Sequence, residues 1–321
     1  MNKQSTYNNA VTSIRPTDNR LHFGHWVGNI SSLIKYQDEK CCYFIFADLQ
    51  MQNMISNEIT NDSIRNNMIC MMRQMINLGV DPEKVTFAIE SVIKKEQLSN
   101  VITLSDYLTN TRINRLPLFK KQEHSIEDKQ SSYKMSMCFF PILQALDFLI
   151  TQSSAAFSNN DNKHFIELIN ELFKKINSSK GYNFPRIDLI TGIVDFLPGY
   201  DGYNMRKNQK NCIFLDDTYE DIKKKIRKIP TNNRVLDDKT GNIILEYSKA
   251  FCQFEDYQHI FQQYENNSIR YEQTKEHLSD LMYQIAQKSQ SNSIHFSDNE
   301  LWNILLQGSN SIKENYELIN I

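Results

Sequence analysis

The chain lacks the excess of one charge that marks proteins with highly charged partners. Its 36 lysines and arginines are balanced by 38 aspartates and glutamates among 321 residues, so the net charge is −2 and the pI is near 6.4. A protein with this balance has no overall basic field to attract nucleic acid. Any contact with RNA therefore has to come from local basic patches.

Paired cysteine motifs and long apolar runs are absent too. The six cysteines form no C-x-x-C pair and none lies at metal-ligand spacing beside histidines, which predicts reduced thiols and no metal site built by the protein alone. No apolar run reaches the roughly 18–20 residues that cross a bilayer. Residues 1–10 are polar, unlike a signal peptide. We therefore expect a soluble cytoplasmic protein without a membrane partner.

Strands and helices alternate in the first two thirds of the sequence. Short apolar runs predict strands, and residues 43–47 are continuously apolar, as in a strand buried on both faces of a parallel sheet. The predicted strands are 10–14, 41–49, 85–89 and one reached through 185–190. Predicted helices cover 24–38, 62–78 up to Gly79, 135–150 with an early break at Pro141, and 161–176. This alternation predicts an α/β fold with a doubly wound, parallel, Rossmann-type sheet.

The character of the sequence changes at residue 216. Every segment after it with a clear period is helical, and these segments are 216–229, 243–254, 257–264, 271–287 and 299–319. We therefore expect an α/β domain over residues 1–215 followed by an all-α region. Residues 216–298 would form a helical domain, and the amphipathic segment 299–321 would pack back onto the α/β domain.

The first motif with chemical content lies where the first strand leads into a helix. It reads I-R-P-T at 14–17 and L-H-F-G-H at 21–25. Free backbone N–H groups and the positive end of the helix dipole point outward at such a junction, so phosphates bind there. Gly24 lets a nucleotide approach the backbone, and His22 and His25 can both reach a phosphate bridge. Two histidines at an isolated helix start would more often be caps or surface residues, but a second motif favours the phosphate site.

The second motif reads L-P-G-Y-D-G-Y-N-M-R-K-N at 197–208. In this order the two motifs resemble the nucleotide-binding signatures of class I aminoacyl-tRNA synthetases, and 12–28 is similar to the first motif of tryptophanyl-tRNA synthetases. Further similar segments spread over essentially the whole chain, at 46–49, 78–82, 140–147, 161–168, 242–251 and 264–281. The resemblance implies a homodimeric ligase that activates tryptophan, or a related indole or aromatic carboxylate, with ATP and Mg²⁺ and transfers it to tRNA.

The resemblance also implies roles for individual residues. Stabilisation of charge during catalysis would fall to His22, His25 and Lys207. The nucleotide would be bound by Gly24, Gly28, Asp161, Met205 and Arg206. Asp147 would accept the hydrogen bond of an indole N–H, and the rest of the substrate site would comprise Gln144, Phe140, Asn162 and Ser13. The basic run that would contact tRNA phosphates comprises Lys223, Lys224, Lys225, Arg227 and Lys228, although such a run is most often a solvated helix face.

The departures from the family pattern concentrate where substrates should lie. Asn204, in the second motif, stands where this family has the first lysine of a mobile loop. Phe140 and Asn162 stand where the family has a tyrosine and a glutamine that hold the α-amine of the amino acid. Phenylalanine accepts no hydrogen bond and asparagine is one methylene shorter, so we expect a weak hold on that amine. Two alternatives stay open, namely a paralogue that transfers the adenylate to a small molecule or peptide, and a catalytically silent protein that binds an aromatic ligand.

Overall fold

The described residues contain one parallel sheet, around which the helices pack. The computed structural model describes residues 8–51, 61–117, 119, 135–205, 207–231, 242–291 and 295–316. Within these residues five strands pair in the order β3-β2-β1-β4-β5. They are β1 Asn9–Ile14, β2 Cys41–Phe46, β3 Val85–Ile89, β4 Ala155–Phe157 and β5 Asp188–Ile190. The predicted doubly wound sheet is confirmed, and its order reverses between β1 and β4, which is where open α/β sheets bind ligands.

Strand β2 shows why the centre of this sheet reads as a continuous apolar run. Phe44 and Phe46 face one hydrophobic cluster, whereas Ile45 faces a second cluster on the other side of the sheet. All three side chains are fully buried, and each contributes on the order of 1.5–3 kcal/mol by leaving water. The first cluster continues into the C-terminal helices through Leu278, Met282, Leu301 and Leu305. Both faces of β2 are thus covered, as the sequence predicts.

The helix after β1 is built from three consecutive segments. We call it α1, and it comprises an α-helical turn Phe23–His25, a π-helical turn Trp26–Ile30 and an α-helical part Ser31–Tyr36. The next helix, α2, spans Asn61–Leu78 and ends before Gly79, whose φ of +117° is a conformation that suits glycine. The further helices before residue 216 are α3 Glu90–Ile93, α4 Leu98–Asp106, α5 Asn110–Asn114, α6 Phe140–Thr151 and α7 Lys163–Lys180.

Pro141 begins a helix rather than breaking one, which corrects the prediction for 135–150. The segment Met135–Phe139 is a 3₁₀ turn, and α6 starts at Phe140 with Pro141 in its first turn. Proline is tolerated there because the first N–H groups of a helix have no intrahelical acceptor to lose. Helix α6 is therefore uninterrupted, and its residues from Ala145 to Thr151 are all buried.

All described elements after residue 216 are helices. They are α8 Tyr219–Arg227, α9 Ile243–Phe251, α10 Phe254–Glu265, α11 Tyr271–Ser289 and α12 Asp298–Tyr316. Helix α12 returns to the sheet and covers the edge strand β3: Ile89 N–H donates to Ser309 Oγ at 2.9 Å, and a Cβ on Gly308 would lie 2.2 Å from the Phe87 carbonyl oxygen. Within the described ranges, no helix combines the length and apolar character needed to span a membrane.

Candidate active site

A cavity of about 70 Å³ lies at the carboxyl ends of β1 and β4, where the strand order reverses. Four of the five residues predicted to bind the substrate line it, namely Ser13, Gln144, Asp147 and Asn162. The fifth, Phe140, packs edge-to-face against Phe165, which lines the cavity, with 5.2 Å between the ring centroids. The structure thus brings the predicted substrate residues to one crevice, with Phe140 one contact behind the wall.

Asp147 is a buried carboxylate in this cavity. It lies on α6, and its Oδ1 is 2.7 Å from Nζ of Lys94, a fully buried cation on the segment after β3. Burial raises the pKa of Asp147 to about 7, since the loss of water and the nearby Glu90 carboxylate outweigh the attraction of Lys94. The carboxyl group expected to accept an indole N–H is therefore easier to protonate than that of an exposed aspartate.

His22 and His25 stack at the start of α1, with 3.6 Å between their ring centroids. The backbone N–H of His22 donates to Nδ1 of His25 at 3.3 Å, while Nδ1 of His22 has no hydrogen-bond partner among the described residues. Burial, helped by the Lys207 ammonium, lowers the pKa of His22 to about 3 and also holds the pKa of His25 well below its usual range. Both rings are therefore neutral at physiological pH and offer N–H groups rather than charges.

The two glycines of the first motif allow close approaches to α1. A Cβ on Gly24 would lie 2.9 Å from Nδ1 of His22 and 3.5 Å from Sδ of Met205. Asn159 follows β4, and a Cβ on Gly28 would lie 2.3 Å from its Oδ1, an atom without a hydrogen-bond partner in the described part of the chain. Gly24 and Gly28 thus let the second motif and the end of β4 close onto the helix start.

Lys207 connects the second motif to the first. Its Nζ donates to the carbonyl of Arg20 at 2.6 Å and lies 3.8 Å from Oδ2 of Asp18. Burial lowers the pKa of this ammonium, partly offset by Asp18. The Arg20 guanidinium in turn binds both carboxylate oxygens of Asp216 at 2.8 Å and lies over the Phe214 ring. His22, His25, Met205 and Lys207 therefore share one region of the surface, whereas Arg206 lies outside the described residues.

The comparison with known proteins decides the family. The sequence profile described as tRNA synthetases class I (W and Y) matches residues 3–287. The chain belongs to this family. The tryptophan–tRNA ligase of Borreliella burgdorferi is 30% identical to it over 236 residues, which make up 73% of this chain and 66% of that protein. The resemblance to tryptophanyl-tRNA synthetases stated from the sequence is thereby confirmed, and as a member of this family the chain is a ligase.

Solved structures show the same fold. The tryptophanyl-tRNA synthetase of Mycoplasma pneumoniae superimposes with a TM-score of 0.78 at 20% identity, covering 97% of this chain and 95% of that one. The tryptophanyl-tRNA synthetase of Campylobacter jejuni complexed with ADP and tryptophan gives a TM-score of 0.72 at 20% identity, covering 96% of both chains. The Rossmann-type architecture of this synthetase family is therefore present over nearly the whole chain.

The basic run of this synthetase is only partly available for a partner. On α8, Lys223 pairs with Glu276 at 2.9 Å, and Lys225 pairs with the buried Asp217 at 2.5 Å. The remaining three members, Lys224, Arg227 and Lys228, are exposed. Two of the five members are thus engaged in intramolecular ion pairs, and three are exposed to solvent.

Several residues of the site were not found from the sequence. Lys94 and Glu90 pair with each other at an i, i+4 spacing directly after β3, and that spacing is the one signal that could have found them. Asn159 becomes recognisable only once β4 is known. Asp161, which was predicted for the nucleotide, is exposed on the short 3₁₀ turn Asn160–Asn162 beside the cavity.

Proposed function

We propose that this synthetase activates tryptophan, or a related indole or aromatic carboxylate, with ATP as an acyl adenylate and transfers the acyl group to tRNA. One observation carries the proposal. The buried carboxylate Asp147 lies in a cavity lined by β1, and β1 is the strand that leads along the chain to the helix start with His22 and His25. The Borreliella burgdorferi relative is a tryptophan–tRNA ligase, and the Campylobacter jejuni synthetase forms a complex with ADP and tryptophan; both support this choice of substrates.

The adenylation step needs positioned charge rather than a general base. The substrate carboxylate is already ionised at neutral pH, so it can attack the α-phosphate of ATP in line as pyrophosphate leaves. The neutral imidazoles of His22 and His25 and the ammonium of Lys207 would donate hydrogen bonds to the oxygens that gain charge. Residues proposed to border the nucleotide are Gly24, Gly28, Asp161, Met205 and Arg206.

Magnesium is proposed as a companion of the nucleotide. The described ranges contain no cluster of three or more histidine, cysteine, aspartate or glutamate side chains placed to hold a metal. Mg²⁺ commonly binds through substrate phosphates and keeps several waters, so the triphosphate itself would supply most of its ligands. The protein would bind the triphosphate through the N–H donors of the first motif and the ammonium of Lys207, and would hold the metal through the triphosphate.

The altered amine site favours a relaxed choice of aromatic acid. Asn162 donates from Nδ2 to Ser158 Oγ at 2.6 Å, which leaves its Oδ1 as the acceptor that it can offer, and Phe140, packed on Phe165, offers no hydrogen-bond acceptor. An ammonium placed there would be partly desolvated without full pairing, which costs binding free energy. We therefore expect the ring, through Asp147, to contribute more to selectivity than the α-amine does.

The decisive experiment measures both half-reactions. Tryptophan-dependent exchange of ATP with pyrophosphate, followed by charging of tRNA with labelled tryptophan, should both be positive, and Asp147→Ala should reduce both. Exchange without charging of any tRNA would favour the paralogue that passes its adenylate to a small molecule or peptide. Absence of ATP binding at millimolar nucleotide would leave a silent protein that binds an aromatic ligand.

Two larger assignments accompany this function. We propose that residues 1–215 form the catalytic domain and that 216–298 form an anticodon-binding-like helical domain, with tRNA phosphates contacting Lys224, Arg227 and Lys228. We also propose a two-fold homodimer. Its support is a set of exposed apolar side chains on α4 and on the turn before α6, namely Leu98, Ile102, Met135 and Phe139, which are 70%, 56%, 74% and 40% exposed.

A further inference from the structure

A network of buried charges lies behind the cavity. The ammonium of Lys94 is 2.7 Å from Asp147 Oδ1, 2.6 Å from Glu90 Oε1 and 2.6 Å from the carbonyl oxygen of Leu143. Glu90 Oε1 and the Leu143 carbonyl accept hydrogen bonds from the ammonium, whereas Asp147 Oδ1 lies at ion-pair distance without hydrogen-bond geometry among the described residues. Glu90 Oε1 also accepts a hydrogen bond from Gln50 Nε2 at 2.9 Å. Asp147 alone of the three charged residues lines the cavity, and Lys94 and Glu90 lie behind it.

This arrangement is costly for a purely structural element. Two carboxylates share one cation, so the network holds an excess negative charge, and Oε2 of Glu90 has no hydrogen-bond partner within the described part of the chain. Removing such ions from water costs several kcal/mol each, which their attraction recovers only with good pairing. A well-packed apolar cluster would stabilise the fold at least as well. The network therefore calls for a role in the cavity that Asp147 lines.

We infer that Lys94 and Glu90 are positioning residues with opposite effects, which together set the charge of Asp147 and thereby the preference of the cavity for ligands with a ring N–H. This inference rests on the proposed function, because it deepens the choice of an aromatic acid at the same cavity. A charged Asp147 accepts a hydrogen bond from an indole N–H. A protonated Asp147 carries its own hydrogen and suits a ring whose heteroatom is an acceptor.

The opposite effects follow from the charges that face Asp147. Lys94 favours the carboxylate form and Glu90 disfavours it, and together with burial they bring the pKa of Asp147 to about 7. Among the described residues, the neighbouring elements add no further charge to the cavity wall: β1 contributes Val11, Thr12 and Ser13, and α7 contributes Phe165, Ile166 and Ile169.

Several charged side chains of α7 and α12 form ion pairs away from the cavity. On α7, Glu171 pairs with Arg112 and His164 lies beside Glu167; on α12, Lys313 lies 3.4 Å from Glu96. Asp147 is the one titratable residue on α6. Since protonation dominates below the pKa, affinity for a ring N–H ligand should rise as the pH increases through about 7.

The test is a pH series of calorimetric titrations with tryptophan between about pH 5.5 and 8.5. Wild type should gain affinity with a midpoint near pH 7. Glu90→Gln should move the midpoint down and Lys94→Met should move it up, each by about one unit or more. Lys95→Met is the matched control, because Lys95 is the exposed neighbour of Lys94 and its loss should leave the midpoint in place. The benzofuran analogue of tryptophan, which lacks the ring N–H, should show no gain in affinity over the same pH range.

Glu90→Gln carries the test even if Lys94→Met fails to fold, because the amide is close in shape and the pair between Lys94 and Asp147 stays intact. Circular dichroism at each pH establishes which variants are folded. An unchanged midpoint in folded Glu90→Gln would overturn the inference while leaving the proposed function standing. Wild type that binds no tryptophan at any pH would overturn the proposed function itself, and with it the role assigned to Lys94 and Glu90.

Discussion

At the scale of single residues, the paired histidines are the least ordinary feature of the first motif. Their rings stack at 3.6 Å and both have lowered pKa values, so His22 and His25 would approach a phosphate as neutral donors. A hydrogen bond to a charged acceptor contributes about 1.5–3 kcal/mol. We therefore expect His25→Ala to weaken binding of a non-hydrolysable ATP analogue by roughly ten- to hundredfold in calorimetry. His164→Ala, a change at an exposed histidine on α7, should bind like wild type, and equal affinity in all three proteins would contradict this role for His25.

The amine site gives a second prediction at this scale. Phe140 touches Phe165 of the cavity wall, and Asn162 lines the cavity itself. The double change Phe140→Tyr with Asn162→Gln restores a hydroxyl and a longer amide, so tryptophan-dependent ATP–pyrophosphate exchange should increase. The advantage of tryptophan over indole-3-propionate, which lacks the amine, should widen as well. If wild type already rejects indole-3-propionate by several orders of magnitude, another residue holds the amine and this prediction is wrong.

The residues predicted from the sequence and the residues missed differ in a physical way. Ser13, Gln144, Asp147 and Asn162 lie in segments whose order of residues resembles a known family, and they were predicted to lie together. The partner of Asp147 could not be predicted, because Lys94 follows a different strand and meets α6 only in the folded chain. A lysine in sequence reads as a surface residue. Its burial follows from tertiary contacts that no local pattern encodes.

At the scale of elements, the π-helical turn of α1 packs closely against a glycine in the loop after β5. Gly192 follows β5, and a Cβ there would lie 1.6 Å from the carbonyl oxygen of Val27 in the turn Trp26–Ile30. Gly192→Ala must push the loop and the helix apart, so we expect a loss of at least about 2 kcal/mol in urea unfolding and weaker ATP binding. Gly181→Ala is the control: its Cβ would meet nothing within 4 Å, and its φ of +74° costs about 1 kcal/mol. Equal losses in the two variants would show that the contact with Val27 is not required.

The elements that escaped prediction are short or depend on their neighbours. Strand β4 has three residues, too few for a periodic pattern, yet it pairs with β1 and β5 at the centre of the site. A π-helical turn contains one residue more than an α-helical turn. The apolar residues of Trp26–Ile30 also fit α-helical spacing, so the sequence predicts an ordinary α-helix there. Pro141 fits a helix start as well as a break, and only the preceding 3₁₀ turn decides between them.

At the scale of the whole molecule, the net charge is close to zero, so tRNA binding should depend on the local basic run of α8. Lys224, Arg227 and Lys228 are the exposed members of the basic run. Replacing all three with glutamine should weaken tRNA binding, and the slope of the logarithm of the binding constant against the logarithm of the salt concentration should become shallower by about 2–3. Exchange of ATP with pyrophosphate should stay unchanged, because these residues lie outside the cavity. Filter binding at several salt concentrations measures the effect. A control with three other exposed lysines, Lys95, Lys174 and Lys180, should keep the wild-type slope, and an equal decrease there would mean that tRNA binds without preference for α8.

The apolar surface on α4 predicts how two copies associate. Leu98 and Ile102 lie one helical turn apart and are 70% and 56% exposed, and such a surface is stabilised when a second copy covers it. The double change Leu98→Glu with Ile102→Glu would force carboxylates into that contact, so the protein should become monomeric in analytical ultracentrifugation at micromolar concentration. Phe254→Glu changes an equally exposed apolar residue on α10 and should leave the dimer intact.

If both variants sediment as wild type, the dimer uses another surface; if wild type is itself monomeric, the apolar surface on α4 has a different partner. Helix α4 packs against α6, which carries Asp147. Loss of the dimer should therefore also lower the affinity for tryptophan. An unchanged affinity in the monomeric variant would show that assembly does not affect the cavity.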